Sequence, residues 1–138
     1  MKRILLLFTV LLACNTMLAQ NQNDKEAIKK TINYYFEGSK TDNPDLLRKA
    51  FLPDATLKYL NAKGNYKMRP IQEFFGFFTN TKTRKFESKI YYIDVSGTAA
   101  NVKLSTKYKT YQYIDYMNML KTNDGWKIVS KISHKEVF

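Results

Sequence analysis

Three side chains stand out as candidates for proton-transfer chemistry: Asp54, Asp115 and His134. Such chemistry needs a proton acceptor near its operating pH and a hydrogen-bond donor for the developing charge, and ten tyrosines can supply donors. Asp115 lies in an apolar run, so it is a candidate base if it points inward and a lysine partner if it points outward. Asp54 follows a proline, where a carboxylate more often accepts backbone hydrogen bonds. The catalytic residues therefore stay unknown, with Asp115 and His134 as candidates.

His134 is the only histidine of the chain. With the period of two of a strand, it shares the face of Trp126, Ile128 and Ile132, which predicts that it projects to the concave side of the sheet at its rim. A lone histidine near a strand end is more often exposed or satisfied by hydrogen bonds. A functional role for His134 is therefore a hypothesis beside that structural interpretation.

The single cysteine, Cys14, and the single histidine exclude several kinds of site. A disulfide, a thiol-based zinc site and a multi-histidine metal site within one chain each need more of these residues. The five glycines are scattered and form no phosphate-binding loop. We therefore predict that the domain uses no cofactor and no metal.

The first residues are typical of an export signal. Lys2 and Arg3 precede the apolar stretch Ile4–Ala13, which is too short to span a bilayer. Cleavage after Ala19 predicts an ordinary signal peptide over residues 1–19. An alternative interpretation is a lipoprotein signal that ends at Cys14, with a lipid anchor on that cysteine. Either one predicts an exported protein, periplasmic or extracellular, and nothing after residue 20 resembles a transmembrane span.

The formal net charge of +11 raises the question of a nucleic-acid partner. Lysines outnumber arginines, although arginine is better suited to bidentate phosphate contact. The lysines are scattered along the chain and no nucleic-acid-binding motif is present. We therefore predict no nucleic-acid partner, while attraction to anionic ligands or membranes stays open.

Apolar spacing predicts three helices in the first part of the domain. The first begins at Asn23, carries one apolar stripe and ends at Gly38. A second, short helix begins at Pro44 and stops at Leu52–Asp54, and the third covers Ile71–Phe78, whose four phenylalanines predict that it is largely buried. A small hairpin is predicted between the last two helices, over Thr56–Leu60 and Tyr66–Met68.

From Lys85 onward the pattern changes to that of strands. We predict strands over Phe86–Val95, with a reversal at Ser96-Gly97, and around the alternating residues Ala100–Tyr108, with an unmarked reversal near Lys109–Gln112. The chain ends in a hairpin in which the turn Thr122–Gly125 joins Gln112–Lys121 to Trp126–Ile132. Helices followed by antiparallel strands indicate an α+β fold.

Three segments carry a resemblance to a known family: Phe51–Ala55, Ile114–Lys121 and Asp124–Lys131. In these the chain resembles the nuclear transport factor 2-like superfamily, in its SnoaL-like branch of putative lumazine-binding proteins. The resemblance covers residues 24–134. It implies a cone-shaped barrel, in which a strongly curved, mostly antiparallel sheet carries about three helices on its concave face. It also implies a homodimer through the outer face of the sheet.

The same resemblance frames the functional hypotheses. We expect an exported domain that binds a small apolar or aromatic molecule in the cone without catalysing a reaction. The alternatives are an isomerase or dehydratase with a pocket Asp or His as general base, and a structural dimerisation module. The candidate ligand-binding residues are Tyr35, Phe75, Tyr113, Asp115, Trp126 and His134.

Overall fold

The structure is a computed structural model that describes the backbone of residues 2–138 and the side chains of residues 20–138. The predicted signal peptide over residues 1–19, with Cys14, lies outside the residues whose side chains are described. Among the described residues, no helix combines the length and the apolar character needed to cross a membrane. The elements are the helices α1 (Lys2–Lys40), α2 (Pro44–Ala50) and α3 (Ile71–Phe75), and the strands β1 (Phe51–Leu60), β2 (Tyr66–Pro70), β3 (Glu87–Ser96), β4 (Ala99–Lys107), β5 (Tyr111–Thr122) and β6 (Gly125–Val137).

The six strands form one sheet in the order β2-β1-β6-β5-β4-β3. The last four strands are antiparallel neighbours, as predicted, and β1 pairs in parallel with β6. The sheet is curved without closing into a complete barrel, and the helices pack on it. The predicted α+β class, element order and cone-shaped architecture are confirmed. The reversal predicted near Lys109–Gln112 lies at residues 108–110, between β4 and β5.

The core lies between the apolar stripe of α1 and the inner face of the sheet. The predicted stripe residues Ile28, Ile32, Tyr35 and Phe36 are all buried. The alternation predicted for β4 holds at Ala100, Val102, Leu104 and Thr106, which are buried, and at Lys107, which is exposed; Ser105, predicted on the outer face, is also buried and lies 3.3 Å from the Tyr91 hydroxyl. This packing fixes α1 across the strands that carry the candidate site.

Both predicted ends of the first helix are wrong. Asn23 lies inside α1, which begins upstream, and Gly38 lies inside its last turn rather than after it. The chain reverses instead at Asp42, which has a positive φ of 60°. A Cβ atom at position 38 would lie 2.9 Å from the Cγ and Cδ2 atoms of buried Leu47. Glycine is therefore needed there for close packing of α1 on α2.

The second helix begins as predicted, since Pro44 follows Asn43, whose Oδ1 accepts hydrogen bonds from the backbone N–H groups of Asp45 and Leu46. The predicted stop at Leu52–Asp54 lies within β1 instead. The β1–β6 register shifts between Phe51 and Thr56, and this irregularity accommodates Pro53, which has no N–H to donate.

The third helix is shorter than predicted and ends at Phe75. Phe75 and Phe78 are buried, but Phe77 is 56% exposed, so the prediction of a largely buried helix was wrong for that side chain. The chain after Phe75 continues as a turn through Gly76. Phe77 therefore does not follow the helical spacing on which its predicted burial depended.

A β-bulge in β6 changes which residues face the core. Met119 of β5 pairs with Ile128, whereas Asn118, the residue before Met119, pairs with Ser130. Val129 is therefore the extra residue in β6. Before the bulge the inward residues are Trp126 and Ile128, as predicted; after it the face changes. Lys131 is only 5% exposed, whereas Ile132 is 50% exposed. The predicted inward position of Ile132 was therefore wrong.

Candidate functional site

A cavity of about 880 Å³ lies between the helices and the inner face of the sheet and is partly open to solvent. Side chains from α1, β1, α3 and the last three strands surround it. The lining is mainly aromatic and cationic, and these side chains determine which ligands the cavity can bind. The lining side chains used below are Tyr35, Phe74, Tyr108, Tyr113, Lys131 and Lys135, with Arg69, Arg84, Ser133 and His134.

A buried polar cluster lies against the cavity and consists of Tyr35, Asp115, Lys131 and Ser133. The Asp115 side chain is fully buried. Its Oδ2 accepts hydrogen bonds from the Tyr35 hydroxyl at 2.9 Å and from the Lys131 Nζ at 3.2 Å, and its Oδ1 accepts one from the Ser133 hydroxyl at 2.6 Å. The Lys131 Nζ also lies 3.2 Å from the Tyr35 oxygen. Asp115 is thus inward-facing and lysine-paired at once.

This cluster gives Tyr35 and Asp115 fixed roles. Burial, and then the negative charge of Asp115, raise the pKa of the Tyr35 hydroxyl well above its ordinary value. Tyr35 therefore stays protonated and acts as a hydrogen-bond donor. Both oxygens of Asp115 already accept hydrogen bonds, which leaves the carboxylate poorly placed to take a proton from a bound molecule.

Tyrosines form one wall of the cavity. The rings of Tyr108 and Tyr111 stack with centroids 4.7 Å apart, and Tyr113 meets both rings edge-on. Burial, followed by the neighbouring Tyr111, raises the pKa of Tyr108 to about 12, and burial also raises the pKa of Tyr113. The Tyr108 and Tyr113 hydroxyls are therefore neutral at physiological pH and offer hydrogen-bonding groups without negative charge.

A second buried carboxylate, Asp42, holds the loop that carries Arg84. Asp42 Oδ2 accepts hydrogen bonds from the backbone N–H groups of Thr79, Thr81 and Lys82 at 3.0–3.2 Å, and its Oδ1 pairs with Arg84. Burial opposes its ionisation, but these hydrogen bonds outweigh burial and lower the pKa of Asp42 to about 2. Arg84 also donates to the carbonyl oxygens of Ser39 and Phe77, so its role is structural.

Two further cations border the cavity. The Arg69 guanidinium lies 4.8 Å from the ring centre of Phe77, and its Nε is 3.8 Å from Glu73. The Lys135 Nζ lies 4.3 Å from the ring centre of Tyr111 and makes no ion pair with any described residue.

The structure brings four of the six predicted ligand-binding residues to the cavity region. Tyr35 and Tyr113 line the cavity, and Asp115 lies directly behind Tyr35 and Lys131. His134 also borders the cavity but is exposed, and it pairs with Ile114 on the outward face. Its predicted orientation was wrong because the bulge at Val129 shifts the alternation.

Phe75 and Trp126 lie outside the cavity lining. Phe75 packs edge-on against Phe51 in the core, with ring centroids 6.1 Å apart. The Trp126 indole N–H donates to Asp24 Oδ1 at 3.0 Å, and Lys121 Nζ lies 2.7 Å from the same oxygen. Those hydrogen bonds lower the pKa of Asp24, with Lys121 contributing most, and they tie α1 to the β5–β6 hairpin.

Sequence reasoning missed Lys131, together with Phe74, Tyr108 and Arg69. The two-residue turn of the last hairpin predicts a register in which Asp115 faces Ile132, and Lys131 then points to solvent. A buried aspartate needs a cation, however, and β6 carries lysines within reach. That requirement could have predicted an inward-facing lysine on β6, such as Lys131.

The part of the chain whose side chains are described contains no group of three His, Cys, Asp or Glu residues arranged to hold a metal ion. The polar groups that line the cavity are instead mainly cations, hydroxyls and one amide, with the Asp115 carboxylate shielded behind them. Such a lining can orient a small molecule through a few hydrogen bonds while its rings contact an apolar or aromatic body.

Several solved structures share this fold. A nuclear transport factor 2-like protein of unknown function from Shewanella baltica OS155 superposes with a TM-score of 0.76 at 28% identity, over 84% of this chain and 96% of that chain. A protein of the same description from Methylobacillus flagellatus KT has a TM-score of 0.74 at 22% identity, over 83% and 94% of the two chains. The S. rosetta CaMKII hub has a TM-score of 0.63 at 17% identity, over 80% and 95%.

Among the curated proteins no match is found. Residues 23–134 match the family described as "Putative lumazine-binding", which spans nearly the whole region from the middle of α1 to the end of the sheet. The resemblance inferred from the sequence is thereby confirmed. The chain belongs to the putative lumazine-binding family and has the nuclear transport factor 2-like fold.

Proposed function

We propose that this domain binds a small apolar or aromatic molecule in the cavity and does not catalyse a reaction. The observation that carries the proposal is the cavity itself, about 880 Å³ in volume, lined by aromatic side chains with a few converging polar groups. Ligand sites in proteins commonly have this size and composition. The family description supports small-molecule binding as well. A cavity of this size argues against a purely structural dimerisation module.

A ligand screen by thermal shift tests the binding proposal. We expect heteroaromatic compounds that enter the cavity to raise the melting temperature, because binding to the folded state alone stabilises it. Ala62 borders the cavity in the β1–β2 turn, whereas the neighbouring Lys63 does not. Ala62→Trp should abolish the shift given by the hits, and Lys63→Trp should retain it. If no aromatic compound stabilises the protein, or if both variants behave alike, the cavity is not a ligand site.

One observation favours the enzymatic alternative, an isomerase or dehydratase. The Tyr35 hydroxyl lies 2.9 Å from Asp115 beside the cavity, which resembles a donor next to a base. Incubation of carbonyl-containing hits in D₂O distinguishes the two proposals. Exchange of the hydrogens next to the carbonyl, lost in Asp115→Asn, would support catalysis. We expect no exchange above the protein-free rate, because Asp115 already accepts three hydrogen bonds.

We further propose that the protein is exported. The support is the sequence pattern of residues 1–19, a basic start followed by a short apolar stretch. The mature N-terminus decides between the two forms of export. Gln20 as first residue indicates ordinary signal cleavage, whereas an acylated Cys14 indicates a lipid anchor. An intact Met1 on protein recovered from the cytoplasm would contradict export.

We also propose a homodimer through the outer face of the sheet. Tyr92, Lys103, Tyr116 and Ile132 form one row across β3, β4, β5 and β6, and its three apolar side chains are exposed. An exposed apolar row of this kind is typical of an interaction surface. Sedimentation should show a dimer for the wild type and a monomer for Ile132→Glu. A monomeric wild type at micromolar concentration would contradict the proposal.

A further inference from the structure

We propose that the ligand of the cavity is a flat aromatic molecule that carries a negatively charged group. This inference rests on the proposed function, because it names the class of ligand that the same cavity takes. Its basis is the sign of the charges around the cavity together with the arrangement of the rings.

The charged residues that line the cavity all have the same sign. They are Arg69, Arg84, Lys131 and Lys135. Among the described residues, no aspartate or glutamate contributes to the lining. A cleft lined by one sign of charge focuses the electrostatic potential and attracts ligands of the opposite sign. A cationic ligand would be repelled from the same space.

Two of these cations are already neutralised. Arg84 pairs with buried Asp42, and the Lys131 Nζ shares its charge with Asp115 at 3.2 Å. Lys131 gives two of its three hydrogens to Asp115 and Tyr35, so one remains for an acceptor on the ligand. This position suits a carbonyl oxygen or a ring nitrogen better than a full negative charge.

The uncompensated positive charge lies on Lys135 and Arg69. Lys135 has no carboxylate within ion-pair distance among the described residues, and the only one near Arg69 is the exposed Glu73 at 3.8 Å. Lys131 and Lys135 project from the same face of β6, and four residues of strand separate their Cα atoms by roughly 13 Å. A ligand of two or three rings can therefore reach Lys131 with one end and the ammonium group of Lys135 with the other.

The rings around the cavity define the shape of the ligand. The stacked pair Tyr108–Tyr111 positions Lys135, which lies over Tyr111, while Tyr108 faces the cavity. Phe74 and Tyr35 lie at the other lysine, each with its ring centre about 5 Å from the Lys131 Nζ. A planar aromatic body fits between these two groups of rings and places its acidic group toward Lys135.

Three probes that share one ring system test the inference: 2-naphthoate, 2-naphthamide and 2-naphthylmethylammonium. Titration at low and at high salt should show 2-naphthoate binding roughly tenfold more tightly than the amide, with the ammonium compound weakest. Added salt should reduce that preference, since Lys135 is exposed. Equal or tighter binding of the amide overturns the inference and leaves the proposed function intact. Failure of all three probes, with no hit in the thermal-shift screen, overturns both.

Variants locate the charge that causes the preference. Lys135→Gln and Arg69→Gln should each reduce the ratio of naphthoate to naphthamide affinity by roughly threefold. Lys89→Gln removes the same charge from an exposed residue of β3 outside the cavity and should leave the ratio unchanged. If Lys89→Gln lowers the ratio as much as Lys135→Gln does, overall charge explains the preference and the assignment to the cavity is wrong.

Discussion

Asp42 and Asp115 are both fully buried carboxylates, yet their surroundings differ in kind. Asp42 accepts three backbone N–H groups of one loop and pairs with Arg84. Asp115 is held by three side chains, from α1 and β6, and all three line the cavity. Backbone partners cannot be exchanged by substitution, whereas side-chain partners can. Asp42 therefore stabilises the fold, whereas Asp115 fixes the polar end of the candidate site.

The largest effect is expected when Lys131 is removed. Lys131→Met leaves Asp115 buried without a cation and should cost about 3–5 kcal/mol of unfolding free energy. The double variant Asp115→Asn with Lys131→Met removes both charges and should recover most of that loss. Urea denaturation of the two variants measures the difference. Equal stability of the single and the double variant would show that the buried pair does not act as a unit.

Asp42→Asn should lower the free energy of unfolding by less than Lys131→Met does, and its effect should depend on pH. Arg84 is partly exposed, so water can solvate it after Asp42→Asn. The pKa of Asp42 is lowered from 3.8 to about 2, so its charge stabilises the fold above pH 3.8. That contribution disappears as the pH falls toward 2. The stability difference between the wild type and Asp42→Asn should therefore shrink between those values, as followed by urea midpoints, and a constant difference would contradict the assigned role.

Tyr35→Phe removes one of the side-chain partners of Asp115. The variant keeps the ring and removes one hydrogen bond to a buried carboxylate, with an expected cost of about 1–3 kcal/mol. Because the pKa of Tyr35 is raised, folding disfavours its ionised form, and the wild type should lose stability above pH 10. That loss should be less steep in Tyr35→Phe. Parallel pH profiles of the two proteins would exclude titration of Tyr35.

Ser133→Ala is expected to have the smallest effect. It removes the hydrogen bond to Asp115 Oδ1, while Tyr35 and Lys131 still hold Oδ2. The loss should be about 1 kcal/mol, because Ser133 is half-buried and water can replace its hydroxyl. Chemical denaturation checks the value. A loss as large as that of Lys131→Met would mean that Ser133 has a greater role than the geometry indicates.

Features that depend on hydrophobic period were predictable from the sequence, whereas features that depend on a bulge or on a distant loop were not. The inward stripe of α1 and the alternation in β4 follow from hydrophobic period, and both were confirmed apart from one buried serine of β4. The buried polar cluster around Asp115 could not be predicted in this way, because it depends on the bulge at Val129. That bulge exchanges the faces of Lys131 and Ile132. Asp42 was also missed, since its partners lie about forty residues away along the chain, in the loop after α3, and meet it only when that loop packs against the end of α1.

The β1–β6 pairing has a consequence for how the chain folds. β6, the last strand in sequence, lies between β1 and β5, so it joins the β2-β1 hairpin to the other strands. A chain that lacks β6 has two separate groups of strands and no continuous sheet over which α1 can pack. Contacts between the beginning and the end of the sequence also slow folding. The sheet therefore becomes continuous only when β6 has been added, and a nascent copy of the domain reaches its native state only after β6 has been synthesised.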